Sequence, residues 1–150
     1  MSRLHRDEEI RVAGERHAGI VIKDNRLLLI HRIKNGYEYY VFPGGHRQRV
    51  ETGEETTIRE IMEESGIEVE NLKLVFEFKN YWASNIDFYY VCNWKSGEQT
   101  HLMGEEKDAD PKVDYFCPMW IDVGEVEKLN ILPKFAKEWL LKYLKTINES

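Results

Sequence analysis

The 150-residue chain carries a formal net charge of −6 at pH 7, and 42% of its residues are hydrophobic. This length and composition suit one folded domain with its own core and exclude a disordered protein. The net negative charge argues against binding to long nucleic acids or to an anionic membrane surface. The sequence shows neither a membrane-spanning stretch nor an apolar signal segment, so it predicts a cytoplasmic protein that does not bind membranes.

We expect a single domain over residues 1–150, with residues 1–14 as a flexible or peripheral segment. A homodimer is left open. The two cysteines, Cys92 and Cys117, are too few for a disulfide framework and lie in apolar runs. They are therefore predicted to be reduced thiols in the core.

The N-terminal half begins with three predicted strands. Residues 16–23 and 26–33 form two apolar runs on either side of Asp24 and Asn25, which is typical of a hairpin. Residues 37–42 form the third strand, which we expect to end at Pro43 and the two glycines after it.

A helix is predicted to begin near Thr52 or Gly53. Its residues Ile58, Ile61 and Met62 recur at helical spacing and are expected to face the core. The acidic side chains of this helix should then point away from the sheet.

The C-terminal half continues with a second hairpin, a long loop and further elements. Residues 72–79 and 86–94 are the predicted hairpin strands, and the polar segment 95–114 is a long loop of the kind that is often functional. A strand at 115–121 follows, and Asp122 is expected to cap a short helix. Pro133 suits the first position of a last helix. The apolar stripe of that helix is predicted to comprise Phe135, Ala136, Trp139, Leu140, Tyr143 and Leu144.

Three glutamates at the end of the first predicted helix break two rules of helix stability. Glu60 lies one turn from both Glu63 and Glu64, and like charges at this spacing cost about 0.2–0.5 kcal/mol per pair. Gly66 marks the helix C-terminus, where the helix dipole disfavours anions. A hard divalent cation such as Mg²⁺ or Mn²⁺ would compensate. The alternative is a solvated surface on which Arg59 softens the repulsion.

The spacing of these residues resembles the Nudix box, G-x5-E-x7-R-E-U-x-E-E-x-G-U, where U is a bulky aliphatic residue. Gly45 and Glu51 match its first two positions, and residues 59–67 match the rest. The resemblance implies an α/β fold, specifically an α/β/α sandwich with a mixed sheet. It also implies metal-dependent hydrolysis of a nucleoside diphosphate linked to another group.

The same resemblance implies roles for single residues. Glu60, Glu63 and Glu64 are the metal-ligand or general-base positions, and the Gly44 carbonyl is a further ligand. Arg59 is expected to pair with Glu51 and to orient Glu60. The general base is either Glu60 or a glutamate of the long loop. Of Glu105 and Glu106 in that loop, Glu106 is preferred.

Substrate contacts are assigned from residue type. Arg32 and Arg47 could bind phosphate, and Tyr81 and Trp82 could stack on a base. The predicted function is therefore a Mg²⁺- or Mn²⁺-dependent pyrophosphohydrolase for a nucleoside triphosphate or another nucleoside diphosphate derivative. The alternative is a non-catalytic nucleotide-sensing or scaffold domain, although such relatives usually lose carboxylates that this chain keeps.

Overall fold

The computed structural model describes residues 11–81, 84–98 and 114–149. Its strands are β1 (Arg11–Lys23), β2 (Arg26–Lys34), β3 (Tyr37–Val41), β4 (Gly44–Gln48), β5 (Glu68–Asn80), β6 (Asn85–Ser96) and β7 (Tyr115–Asp122). Its helices are α1 (Gly53–Ser65), a 3₁₀ helix (Val123–Lys128) and α2 (Lys134–Glu149). Parallel and antiparallel strand pairs both occur, so the predicted α/β fold with a mixed sheet is confirmed. Within the described ranges no helix is long and apolar enough to cross a membrane.

The described elements divide into two compact units. The first contains β1, β4, α1, β5 and β6, and the second contains β2, β3, β7, the 3₁₀ helix and α2. The single domain over residues 1–150 remains a prediction. Both cysteines are free and buried, as predicted.

In the first unit, β1 pairs with β4 in antiparallel and with β6 in parallel orientation, and β6 pairs antiparallel with β5. One face of β1 packs against α1. A Cβ atom added at Gly19 would lie 2.5 Å from Ile61 Cδ1 and 3.2 Å from Thr57 Cγ2. The absence of a side chain at Gly19 therefore lets α1 lie close to the sheet.

Helix α1 begins and ends where the sequence predicted, because its two ends carry strong local signals. Thr52 is the N-cap and forms a capping box with Glu55. Gly66 is the C-cap, with φ of +76°, and its N–H donates to the Met62 carbonyl over 2.8 Å. The prediction that Met62 faces the core is wrong, since this residue is 43% exposed. Thr57 is buried instead, and its hydroxyl donates to the Gly53 carbonyl within the helix.

Strand β4 was not predicted. The sequence suggested that Pro43 and the glycines end the strand region, but Gly44 and Gly45 pair with Ala18 and His17 of β1. A Cβ atom at Gly44 would lie 2.3 Å from the His17 carbonyl oxygen. Glycine has a low strand propensity, but here it allows the backbone of β4 to approach that of β1 closely. This tertiary contact explains the strand.

In the second unit, β2 pairs antiparallel with both β3 and β7. Asp122 precedes the 3₁₀ helix but makes no side-chain cap, so the predicted capping role is wrong. Its carboxylate accepts from Arg26 Nε over 3.1 Å instead. Helix α2 begins one residue after Pro133. Phe135 is 64% exposed and does not belong to the predicted core stripe of α2.

Candidate functional site

The three acidic residues of α1 differ in exposure. The Glu63 side chain is 58% exposed, whereas that of Glu60 is only 18% exposed. Glu64 is half-buried, and its Oε1 accepts from the Gly44 N–H of β4 over 2.9 Å. The expectation that the acidic face points away from the sheet is therefore wrong for Glu60 and Glu64. The reason is β4, which lies beside the end of α1.

Gly45 provides the space that Glu60 occupies. A Cβ atom added at Gly45 would lie 2.4 Å from Glu60 Cδ and 2.6–2.7 Å from both of its carboxylate oxygens. Any side chain at this position would displace the Glu60 carboxylate. The glycine is therefore needed for the geometry of the acidic cluster.

Burial raises the pKa of Glu64 to about 7, and the nearby charges of Glu60 and Glu63 add to this increase. The hydrogen bond from the Gly44 N–H opposes the shift but does not cancel it. The charged form of Glu64 is thus disfavoured mainly because its side chain is withdrawn from water, although the positive charge of Arg16 also opposes the shift. A divalent cation would stabilise the charged form.

Arg59 connects the acidic cluster to the loop before α1. Its Nε donates to Glu51 Oε2 over 2.6 Å, and its second terminal nitrogen donates to Glu51 Oε1 over 3.0 Å. The remaining nitrogen lies 3.0 Å from Glu60 Oε1 and 3.3 Å from Glu63 Oε2. The hydrogen bonds from Arg59 lower the pKa of Glu51 to about 2. The predicted contacts of Arg59 with Glu51 and Glu60 are present.

The acidic cluster fits a divalent cation in donor type. Its donors are carboxylate oxygens within one helical turn, which are the ligands that Mg²⁺ and Mn²⁺ prefer. In the part of the chain that the structure describes, no three Asp, Glu, His or Cys side chains are already gathered as metal ligands. Arg59 contacts Glu60 and Glu63, and Glu64 is turned to the amide of Gly44. Arg59 and the Gly44 amide therefore set the orientation of these carboxylates.

Of the other predicted site residues, Arg32, Arg47 and Tyr81 lie in the described part of the chain. Arg47 donates to Glu15 and to the Glu51 carbonyl. Arg32 lies in the second unit, where it donates to Asp114 and to the Tyr115 carbonyl. Tyr81 is 83% exposed in the turn between β5 and β6. Trp82, Glu105 and Glu106 lie outside the described residues, so their roles stay predictions.

Three buried or half-buried polar residues were missed from sequence. Glu15 and His17 contact each other on β1. Asp87 on β6 is 1% exposed, and its Oδ1 has no hydrogen-bond partner among the described residues. Burial raises the pKa of Asp87. The available signal was a charged or imidazole side chain inside an otherwise apolar strand, which normally requires a specific partner.

Comparison with known proteins places these features in a family. The NUDIX domain model matches residues 14–143. A MutT-like protein of Streptomyces ambofaciens is 37% identical over 81 residues, which cover 53% of this chain and 51% of that protein. An RNA pyrophosphohydrolase of Sphingopyxis alaskensis is 25% identical over 126 residues, which cover 75% of this chain and 80% of that protein. The chain thus spans about half the length of the first relative.

Among solved structures, a NUDIX hydrolase from Nitrosomonas europaea superimposes with a TM-score of 0.64 at 16% sequence identity. The match covers 89% of this chain and 89% of that one. At this identity the likeness establishes the fold alone.

Proposed function

The chain belongs to the NUDIX domain family, and we propose that it is a divalent-metal-dependent pyrophosphohydrolase acting on a nucleoside diphosphate derivative. The observation that carries this proposal is the acidic cluster of Glu60, Glu63 and Glu64 at the junction of α1 and β4. Arg59 connects this cluster to Glu51 through charge-assisted hydrogen bonds. The cluster supports this proposal because a cation held by its carboxylates would neutralise the oxygens of a phosphoric anhydride.

The carboxylates of Glu60, Glu63 and Glu64, with the Gly44 carbonyl, would hold the metal. When bound, Mg²⁺ or Mn²⁺ neutralises phosphate oxygens and lowers the pKa of a water molecule. Arg59 fixes the Glu60 carboxylate, and Gly45 leaves room for it. We assign the removal of a proton from the attacking water to Glu60 or to Glu106.

The competing proposal is a domain that binds nucleotides without turnover. The presence of all three carboxylates favours catalysis, because family members without turnover usually lack some of them. A screen for released phosphate and pyrophosphate over a panel of nucleotides, with Mg²⁺ or Mn²⁺, distinguishes the two proposals. Nucleotide binding without release under either metal would favour the sensing domain.

Metal binding is expected to stabilise the fold. A ligand that binds only the folded state at 100 times its Kd adds about 2.7 kcal/mol, which corresponds to an increase in Tm of about 5 °C or more. Melting curves in EDTA and in excess Mn²⁺ measure this shift. The double variant Glu63→Gln with Glu64→Gln is the control, and it should lose most of the shift. An unchanged Tm of the wild-type protein would contradict the metal site.

We further propose that the substrate is a nucleoside triphosphate that is cleaved between its α and β phosphates. The exposed ring of Tyr81 offers a stacking surface for a base with loose selectivity. RNA is the competing substrate class, since one relative is named an RNA pyrophosphohydrolase. We expect kcat/KM to be highest for a triphosphate in a panel with ADP-ribose, dinucleoside polyphosphates and 5′-triphosphate RNA. A higher value for any other member would overturn the triphosphate assignment and keep the hydrolase.

A further inference from the structure

Glu15 and Arg47 form a second ion pair beside the one between Arg59 and Glu51. Arg47 Nε lies 3.1 Å from Glu15 Oε1, and a terminal nitrogen of Arg47 lies 3.2 Å from Glu15 Oε2. Two parallel hydrogen bonds of this kind fix the orientation of both groups. The hydrogen bonds from Arg47 lower the pKa of Glu15, so its carboxylate is charged at neutral pH.

Glu15 is also fixed from the side of the sheet. His17 is 4% exposed, and its Nε2 lies 2.8 Å from Glu15 Oε1. The other ring nitrogen of His17 lies 2.9 Å from the Tyr90 hydroxyl oxygen. The ring stacks on Phe88 with 4.5 Å between centroids and 5° between planes. A buried ring with contacts on its face and at both nitrogens is a rigid support for Glu15.

Arg47 reaches the loop that leads to α1. Its remaining terminal nitrogen donates to the Glu51 carbonyl over 3.0 Å. Arg47 thus contacts the backbone of Glu51 and Arg59 contacts its carboxylate, which also accepts from the Gln48 N–H and the Thr56 hydroxyl. Arg59 in turn contacts Glu60 and Glu63. A continuous series of hydrogen bonds thus runs from β1 to the acidic cluster.

We propose that Glu15 and Arg47 are positioning residues for the acidic cluster. Glu15 orients Arg47, Arg47 fixes the backbone of Glu51, and Glu51 places Arg59 against Glu60 and Glu63. This inference rests on the proposed function, in which the carboxylates of the acidic cluster hold a divalent cation. It gives Arg47 a different role from the phosphate binding predicted from sequence, because Nε and both terminal nitrogens already donate to protein oxygens.

The test compares Glu15→Gln, Arg47→Gln, Arg47→Lys and the double variant E15Q/R47Q with wild type. The matched control is Glu68→Gln, which breaks the exposed pair of Glu68 with Lys95 in the same unit. Titration calorimetry measures Mn²⁺ binding without turnover, steady-state kinetics give kcat and KM, and melting curves report folding. If E15Q does not fold, Glu15→Asp replaces it, because it keeps the charge and shortens the reach.

We expect E15Q and R47Q each to weaken Mn²⁺ binding. Each should also lower kcat about tenfold and leave KM unchanged, because groups that orient metal ligands typically account for losses of about 10–100-fold. Arg47→Lys should be intermediate, because lysine keeps the charge without the planar fork. The double variant should lose no more kcat or Mn²⁺ affinity than the more impaired of the two single variants, since the two residues act as one unit. The E68Q control should match wild type.

Three results would overturn the inference. Unchanged Mn²⁺ affinity and kcat in E15Q and R47Q would remove the positioning role. Arg47 would instead contact the substrate if R47Q raised KM and kept normal Mn²⁺ affinity while E15Q left KM unchanged. Failure of the wild-type protein to bind Mn²⁺ would overturn both the metal site and its positioning residues. Weaker Mn²⁺ binding in E15Q with no wild-type turnover would support the inference and contradict only the hydrolase.

Discussion

Changing Glu64 to glutamine should lower kcat by more than about 100-fold. Removing a group that only supports a metal ligand typically costs about 10–100-fold, and Glu64 is proposed to be a ligand itself. Glutamine keeps the shape of Glu64 and its acceptor for the Gly44 N–H, but it removes a charge from the acidic cluster. We expect Glu63→Gln to act in the same direction. Steady-state kinetics over a range of Mn²⁺ concentrations measure the loss, and excess metal should restore only part of it.

The fold should survive this change and become more stable in EDTA. The pKa of Glu64 is raised to about 7 in the folded protein, so ionisation of Glu64 destabilises the wild type as the pH rises from about 4.5 to above 7. Glutamine does not ionise, so Glu64→Gln does not lose this stability. The difference in free energy of unfolding between the variant and wild type should therefore be larger at pH 8 than at pH 4. Urea unfolding at both pH values provides the measurement.

The matched control for Glu64→Gln is Glu54→Gln, which removes the same charge at the other end of α1. Glu54 is exposed and lies in the first helical turn, so its loss should leave turnover close to wild type. Near wild-type kcat in both Glu63→Gln and Glu64→Gln would refute the metal assignment. A similar loss in Glu54→Gln would show that the effect is not specific to the acidic cluster.

The parts of this molecule that could be predicted from sequence are those with local causes. Helix α1 has a capping box at Thr52 and a left-handed glycine at Gly66, and both signals lie within a few residues of the ends that they define. The pair of Arg59 with Glu51 also lies within that short segment. Such interactions depend on spacing along the chain, and spacing is what a sequence displays.

The parts that were missed depend on contacts between distant segments. Strand β4 forms because Gly44 and Gly45 can approach β1, and their glycine content alone suggested a loop. Arg47 and Glu15 are separated by 32 positions, so no local pattern joins them. The direction of the Glu60 carboxylate likewise follows from β4, because the space beside it exists only once that strand is placed.

Changing Arg59 to lysine should lower kcat about 100-fold and leave KM nearly unchanged, although the charge is kept. The guanidinium contacts Glu51 with two nitrogens and reaches Glu60 and Glu63 with the third. A single ammonium group cannot reproduce that planar set of contacts. Glu60 would then lose its orientation while the overall charge of the acidic cluster stays the same.

Three comparisons make the Arg59→Lys result specific. Arg26→Lys is the matched control, because Arg26 pairs with Asp122 in the other unit and should tolerate lysine. Glu51→Gln should show the same pattern as Arg59→Lys, since it removes the partner that fixes the guanidinium. Combining both changes should cost little more than either alone, as expected for residues that act together. A raised KM with normal kcat in Arg59→Lys would instead place Arg59 directly on the substrate phosphates, and the role of orienting Glu60 would be lost.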